Sequence, residues 1–108
     1  MTPYAEQVLD ALGDPTRRAV FKRLRAGARS VNDIARGMDV SRPAVSQHLK
    51  ILKAARLVAD RAEGTRRLYA VDTHGIDALR KWLDGLWDDA LDAFKAAAEQ
   101  EAARETKR

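Results

Sequence analysis

Residues 41–53, SRPAVSQHLKILK, concentrate hydroxyl, amide and cationic side chains and contain no carboxylate. Glutamine and arginine hydrogen-bond to base edges in the major groove of DNA, and lysine neutralises backbone phosphates. Because no side chain of this stretch repels a polyanion, the stretch predicts a DNA-binding surface. The residues that we expect to form it are Ser41, Arg42, Ala44, Ser46, Gln47, Lys50 and Lys53.

The same stretch has the periodicity of an amphipathic helix. Ser41 can accept a backbone N–H as an N-cap, and a proline follows in the first turn, where it is tolerated. Val45, Leu49 and Leu52 recur at i, i+4 and i+7 and define one apolar side. We therefore predict a helix over residues 41–54 with its apolar side buried. The alternative is an ordinary solvated helix, and the flanking segments must decide between the two.

The preceding segment predicts the partner helix of a helix-turn-helix. Ser30 can cap a short helix, with Asp33 three residues later and Ile34 turned inward. Residues 37–40 then leave only a tight connection to Ser41. Two short helices joined in this way, the second with a polar outer face, form a helix-turn-helix.

After residue 56 the apolar period changes from that of a helix to that of a strand. Two alternating segments flank Glu63-Gly64, which predicts a β-hairpin, or wing, over residues 57–72. Arg61, Arg66 and Arg67 crowd near its tip. Like charges at such close range destabilise a small hairpin unless an anion neutralises them. We expect that anion to be the DNA backbone, contacted along a phosphate ridge or in the minor groove.

The outer helices predict a dimer. Two helices are expected before the helix-turn-helix, over roughly residues 4–12 and 15–26, and a long one from about residue 75 to at least residue 98. Both tryptophans lie on the long helix, in an apolar face wider than one small domain needs. Aromatic side chains concentrate in protein–protein interfaces, although these two could instead complete the core of one chain. The predicted dimer residues are Tyr4, Val8, Leu79, Trp82, Leu83, Leu86, Trp87 and Phe94.

The 108 residues allow one domain, which we place at residues 1–98, followed by a charged, frayed tail at residues 99–108. The net charge of +4 is divided unevenly. Residues 1–75 hold 14 Lys and Arg against 8 Asp and Glu, whereas residues 76–108 hold 6 against 8. The basic excess therefore accompanies the predicted DNA-binding elements and suggests a polyanionic partner.

Other classes of function find little support in the sequence. With no cysteine, the chain has neither a disulfide nor a thiolate metal site. It offers no nucleophile with a credible His–acid arrangement and no glycine-rich phosphate loop, so we do not expect an enzyme. No apolar run approaches the roughly 18 residues of a membrane span, and the first residues lack the features of a secretory signal. We expect a cytoplasmic protein without a membrane partner.

The sequence resembles the ArsR/SmtB (arsenical-resistance) family of winged-helix repressors over roughly residues 5–95. The matching segments are LGDPTRRAVFKRL at 12–24, SVNDIA at 30–35, SRPAVSQHLKILKAARLV at 41–58 and RAEGTRRLYAVD at 61–72. The resemblance implies a mainly α fold with a small β-hairpin, a winged helix-turn-helix of order α-α-α-α-β-β-α. It also implies a homodimer, formed through the first and last helices, that occupies an inverted-repeat operator and represses transcription, often of its own gene. In that role Ser46 and Gln47 would face bases.

The chain departs from the metal-sensing members of that family. Some of them place a Cys-x-Cys pair in the first helix of the helix-turn-helix, where this chain reads SVNDIARG. Others bind zinc between paired last helices, and Asp72-Thr73-His74 supplies only half of such a site. We expect His48 to be a hydrogen-bonded helix residue and His74 to cap or precede the last helix, so we predict no metal and no cofactor.

Two alternatives to this prediction remain open. One is a zinc-responsive repressor that uses Asp72 and His74. The other is a winged-helix module that binds protein and not DNA. The sequence identifies no small-molecule inducer, for which a dimer crevice near Trp82 and Trp87 would be the place.

Overall fold

In the computed structural model, which describes residues 2–106, the elements follow the predicted order. Four helices precede a two-stranded antiparallel hairpin, and one long helix follows it, which confirms the mainly α, winged helix-turn-helix fold. The elements are α1 Pro3–Gly13, α2 Pro15–Lys22, α3 Val31–Ala35, α4 Arg42–Ala54, β1 Val58–Glu63, β2 Arg66–Val71 and α5 Thr73–Thr106.

The first four helices begin in the same way. A side-chain oxygen accepts the backbone N–H three residues later at 2.8–3.3 Å, which satisfies one of the N–H groups that a helix start leaves unpaired. The capping residues are Thr2, Asp14, Ser30 and Ser41. The caps predicted at Ser30 and Ser41 are therefore confirmed.

The hydrophobic core lies where α4 packs on α2, α3 and the base of the hairpin. Val45, Leu49 and Leu52 have no exposed surface, so the predicted apolar side of α4 is confirmed. The other fully buried large side chains are Val8, Val20, Leu24, Ile34, Leu57 and Val58. This core fixes the orientation of α4 and leaves its opposite side in solvent.

The hairpin is held by a tight turn and by an isolated β-bridge to a residue before α3. β1 and β2 pair from Val58–Val71 to Glu63–Arg66 around a turn in which Gly64 has a φ of +62°. The backbone of Arg29 bridges to Tyr69 in β2 through two hydrogen bonds of 2.8 and 2.9 Å. This bridge was not predicted, because a single residue before a helix cap carries no alternating pattern.

The start of α5 contacts the end of α4. Arg56, with a φ of +57°, closes α4 in a Schellman motif: its N–H donates to the Lys53 carbonyl, and the Leu57 N–H donates to the Leu52 carbonyl at 2.9 Å. Gly75, in the first turn of α5, then donates its N–H to the Arg56 carbonyl at 2.9 Å. The two helices are therefore joined directly by hydrogen bonds.

The long helix α5 divides into two parts. Up to Trp82 its inner side packs on α1 and on the core, whereas every residue from Leu83 to Thr106 is exposed. We call residues 2–82 the body and residues 83–106 the arm. The arm gives the molecule its extents of 76 × 25 × 24 Å.

The helix passes without a break through residue 98, where the sequence placed the end of the domain. The domain boundary and the fraying of residues 99–108 stay predictions, and residues 107–108 lie outside the described part of the chain. Within that part, no helix is both long and apolar enough to cross a membrane.

Candidate nucleic-acid interface

The polar side of α4 is exposed along its whole length. Arg42, Ser46, Gln47, Lys50 and Lys53 all lie in solvent, and Ala44 is half-buried. Ser41 is exposed too, but its hydroxyl oxygen accepts the Ala44 N–H. The structure thus brings the residues that the sequence predicted on α4 together on one face, opposite the buried leucines.

The connection between α3 and α4 is held by arginines whose role the sequence did not reveal. Arg23, on the turn after α2, donates to the carbonyl oxygens of Arg36 and Gly37 at 3.3 and 2.8 Å. Arg42 donates to the side-chain oxygen of Asn32 at 3.2 Å, which links the first turn of α4 to α3. A basic residue beside a helix-turn-helix can therefore be part of its frame, and no sequence pattern distinguishes this from a phosphate contact.

The hairpin differs from the sequence-based expectation in how its positive charge is balanced. Arg66 contacts the Asp33 carboxylate at 2.8 Å and Arg67 contacts the Asp60 carboxylate at 2.8 Å, while Arg61 lies 3.7 Å from Glu63. The expectation that these three charges need an external anion is wrong, because each has a carboxylate of the same chain beside it. Asp33 is 33 residues from Arg66, so the sequence could not pair these two, whereas Asp60 is only 7 residues from Arg67 in the same hairpin.

Two of these carboxylates are held ionised. The hydrogen bond from Lys53 and then that from Arg67 keep the pKa of Asp60 below its ordinary value, despite the opposing effect of burial. The pKa of Asp33 is also lowered, first by a hydrogen bond with Ser30 and then by the charge of Arg66. Both groups are therefore anions wherever the protein would meet DNA.

A polar recess of about 250 Å³ lies between the start of α3 and the hairpin. Its lining consists of Ser30, Val31, Asn32, Thr65, Arg66, Arg67 and Tyr69. The recess opens beside the two wing arginines, so a phosphate group could enter it next to their guanidinium groups.

The predicted dimer residues differ in exposure: some are exposed, some are half-buried, and Val8 is fully buried. Leu83, Leu86, Trp87 and Phe94 are exposed on the arm, with 65% of Trp87 and 75% of Phe94 accessible. Tyr4, Leu79 and Trp82 are half-buried against the body, where the Tyr4 hydroxyl donates to the Ala55 carbonyl at 2.8 Å.

Val8 has no exposed surface and belongs to the core of the single chain. Its assignment to a dimer interface is therefore wrong, because no part of this side chain is left for a partner to cover. Helical periodicity places Val8 on the same face as Tyr4, four residues earlier, but it does not show which neighbour buries that face.

The two histidines have different surroundings from those expected. The Nδ1 atom of His48 is buried and has no hydrogen-bond partner among the described residues, contrary to the prediction of a hydrogen-bonded helix residue. Asp72 accepts the backbone N–H of His74 at 3.0 Å, so the aspartate, and not the histidine, caps α5. The His74 ring lies 5.8 Å from that of Tyr4. Residues 2–106 of this single chain contain no group of three His, Cys, Asp or Glu placed to hold a metal ion.

Comparison with known proteins agrees with this architecture. A model of helix-turn-helix domains matches residues 12–61. The HTH-type transcriptional regulator Rv2034 of Mycobacterium tuberculosis is 50% identical over 96 residues, 89% of this chain and 90% of that protein. Transcriptional repressor SdpR of Bacillus subtilis is 34% identical over 70% of this chain and 84% of its own length.

Solved structures show the same fold. An ArsR-like transcriptional regulator from Rhodococcus sp. RHA1 superposes with a TM-score of 0.75 at 28% identity, over 88% of this chain and 92% of that one. The homodimeric winged helix-turn-helix DNA-binding domain of a possible ArsR-family regulator from Mycobacterium bovis superposes with a TM-score of 0.62 at 29% identity, over 83% of each chain. This chain therefore belongs to the ArsR/SmtB family of winged-helix transcriptional regulators, which are DNA-binding proteins and not enzymes.

Proposed function

We propose that this protein is a homodimeric repressor that binds an inverted-repeat operator, with α4 of each protomer in the major groove. The observation that carries the proposal is the solvent face of α4, where exposed Arg42, Ser46, Gln47 and Lys50 accompany no carboxylate. Glutamine and arginine side chains such as Gln47 and Arg42 can pair with base edges, and a lysine such as Lys50 can contact phosphate.

The arm supports the homodimer. The arm carries one apolar stripe at helical spacing, and every side chain in it is exposed in the described part of the chain. The stripe consists of Leu83, Leu86, Trp87, Leu91 and Phe94. A helix this exposed is marginal in water, because helices in proteins draw most of their stability from a buried apolar side. A second copy offers an identical stripe, and a two-fold contact would bury both.

The dimer would match the symmetry of its site. Two copies related by a two-fold axis present their α4 helices to half-sites about 34 Å apart, one turn of DNA. Occupancy of such a site within a promoter would exclude polymerase, in keeping with the repressor SdpR among the relatives. A protein that acts on cellular DNA in this way would work in the cytoplasm.

The wing would add contacts to the backbone. Lys53, Arg61, Arg66 and Arg67 remain about half exposed, even though each has a carboxylate nearby. Phosphates could therefore share these cations with Asp33, Asp60 and Glu63. We place the wing against the backbone or in the minor groove beside each half-site.

Titration of duplex DNA at two salt concentrations tests the proposal. The duplex would come from fragments selected by the purified protein, with a scrambled sequence as the competitor. If the dimer makes roughly 6–10 phosphate contacts, affinity falls on the order of 10³–10⁵-fold between 50 and 200 mM salt. A module that binds protein would show no salt-dependent duplex affinity, and that result would reject the proposal.

Two substitutions separate base contacts from phosphate contacts. Gln47→Ala should cost about 1–3 kcal/mol on the selected duplex and relax the preference at one base position. Lys50→Ala, offered as a backbone contact, should weaken the selected and scrambled duplexes alike. Gln100→Ala, an exposed amide on the arm, is the matched control and should change neither.

Operator affinity with and without zinc tests the zinc-responsive alternative. Asp72 is engaged in capping α5, and His74 packs near Tyr4, so neither is arranged as a ligand in the single chain. Operator affinity should stay the same with zinc or with a chelator. A change in affinity under either condition would favour the zinc-responsive alternative.

A further inference from the structure

We propose that Asp60 is the positioning residue that sets the wing relative to the reading helix α4, and that it thereby determines the specificity of DNA binding. The inference rests on the proposed DNA-binding function and adds a residue that does not itself touch DNA. It concerns one carboxylate on β1 and the two cations that it joins, Lys53 and Arg67.

Both carboxylate oxygens of Asp60 are paired with cations of the same chain. One Asp60 oxygen lies 2.7 Å from the Lys53 ammonium, and the other lies 2.8 Å from the Arg67 guanidinium. The Asp60 side chain is only 9% exposed, whereas those of Lys53 and Arg67 are 56% and 55% exposed. A single carboxylate therefore joins the last turn of α4 to both strands of the wing.

The other ion pairs of the wing lack this arrangement. Asp33 is 34% exposed and contacts Arg66 of the wing together with its own helix neighbour Arg36, which is 3.9 Å away. Glu63 is 66% exposed and pairs with Arg61 within the same strand. Among the ion pairs of the described residues, the Asp60 pairs alone connect α4 to the hairpin.

The arrangement has two consequences for binding. Asp60 offsets two positive charges, so Lys53 and Arg67 attract an arbitrary duplex less than two free cations would. It also fixes where their exposed ends lie when α4 occupies the groove. Both consequences favour the correct site over other DNA, the first by weakening non-specific contacts and the second by pre-ordering specific ones.

Asp60→Asn tests the charge and Asp60→Glu tests the position. The aspartate-to-asparagine change frees both cations, so non-specific duplex affinity should rise roughly tenfold and the salt dependence should steepen by up to about two contacts per protomer. The ratio of specific to non-specific affinity should fall on the order of tenfold. Asp60→Glu keeps the charge, so it should lower this ratio while leaving the salt dependence unchanged.

Asp39→Asn is the matched control, because it removes one exposed charge from the connection before α4 that has no ion-pair partner in the described structure. It should raise both affinities slightly and leave their ratio unchanged. Equal behaviour of the Asp60→Asn and Asp39→Asn variants would overturn the inference, since net charge alone would then explain the effect.

Circular dichroism of each variant establishes whether it is folded. If Asp60→Asn does not fold, Asp60→Glu decides, and an unchanged specificity ratio in that variant rejects the positioning role. Failure of the wild-type protein to bind any duplex in a salt-dependent way would instead reject the proposed function itself.

Discussion

The body and the arm are built from the same chain but are completed in different ways. The body buries Leu49, Leu52 and Ile34 fully and satisfies its helix starts with its own side chains. The arm, by contrast, leaves most of Trp87 and Phe94 in solvent, and all of its residues from Leu83 to Thr106 are exposed. The body therefore has a core of its own, whereas the arm would gain a buried side only in the proposed dimer.

This difference gives the two regions different responses to protein concentration. Stability that comes from contacts within one chain does not change on dilution, whereas stability that comes from a second chain does. The effect of a substitution in the body should therefore be independent of protein concentration, whereas the effect of one in the arm should depend on it.

The largest effect is expected in the body. Leu49→Ala should lower the free energy of unfolding by about 2–5 kcal/mol, because it leaves a cavity where the side chain is completely buried. Denaturant unfolding at two protein concentrations should give the same loss relative to wild type at each. Ile51→Ala, at a half-exposed position of the same helix, is the control and should cost much less.

The next effect concerns the arm. Trp87→Glu should weaken dimerisation by about 2–4 kcal/mol, because it places a charge where an aromatic contact is expected, yet it should leave the body folded. Sedimentation at several concentrations measures the dimer, and near-ultraviolet circular dichroism reports on the body. Gln100→Glu adds the same charge at an exposed polar position of the arm; if it disrupts the dimer equally, the apolar stripe is not the interface.

Gly75 lies in the body, in the first turn of α5, where this helix contacts the end of α4. A Cβ at this position would lie 2.9 Å from the carbonyl oxygens of Ala55 and Arg56, so Gly75→Ala should destabilise the protein by about 1–3 kcal/mol. Gly85→Ala, on the arm with open space around it, should instead stabilise the helix by about 0.5–1 kcal/mol. Thermal unfolding of the two variants should move in opposite directions.

A smaller effect with a favourable sign is expected at Arg56. Because its φ of +57° is costly for a side chain and free for glycine, Arg56→Gly should stabilise the body by roughly 0.5–1 kcal/mol. A loss of stability would show that the contact of Arg56 with His74, at 3.4 Å, matters more than the backbone strain.

The smallest effect on stability is expected from lowering the pH. Asp60 and Asp33 have lowered pKa values in the folded protein because of Lys53 and Ser30, and that of Asp14 is lowered by the Arg17 backbone N–H. A carboxylate of this kind stabilises the fold above its unfolded pKa of about 3.9, and the stabilisation is lost as pH falls through the lower folded value. Thermal unfolding between pH 7 and pH 3 should show this loss, and the Asp60→Asn variant should show less of it.

The sequence predicted the elements whose signals are local. The apolar side of α4, the caps and the hairpin all depend on residues close together in the chain, and the structure confirms them. The fully buried position of Val8 and the Arg29–Tyr69 bridge depend on segments that meet only after folding, and these were missed or misplaced.

At the candidate site, too, the sequence did not reveal a contact between separate elements, in this case an ion pair of the wing. The pairing of Arg66 with Asp33 depends on the fold, because Asp33 lies on α3. Glu63 and Asp60, in contrast, lie in the same hairpin as the arginines that they pair with. Periodicity predicts which face of an element is polar, but pairing across elements requires coordinates. Exposure of the α4 face could be predicted for this reason, whereas the anchoring of Lys53 could not.

The hydrogen bond from the Gly75 N–H to the Arg56 carbonyl couples the start of α5, which extends into the arm, to the end of α4, the proposed reading helix. In a dimer joined along the arms, a small tilt of one arm against the other would turn each α4 by the same angle. The spacing of the two reading helices, and hence the fit to an operator, would then be controlled from the far end of the molecule without any change inside the body.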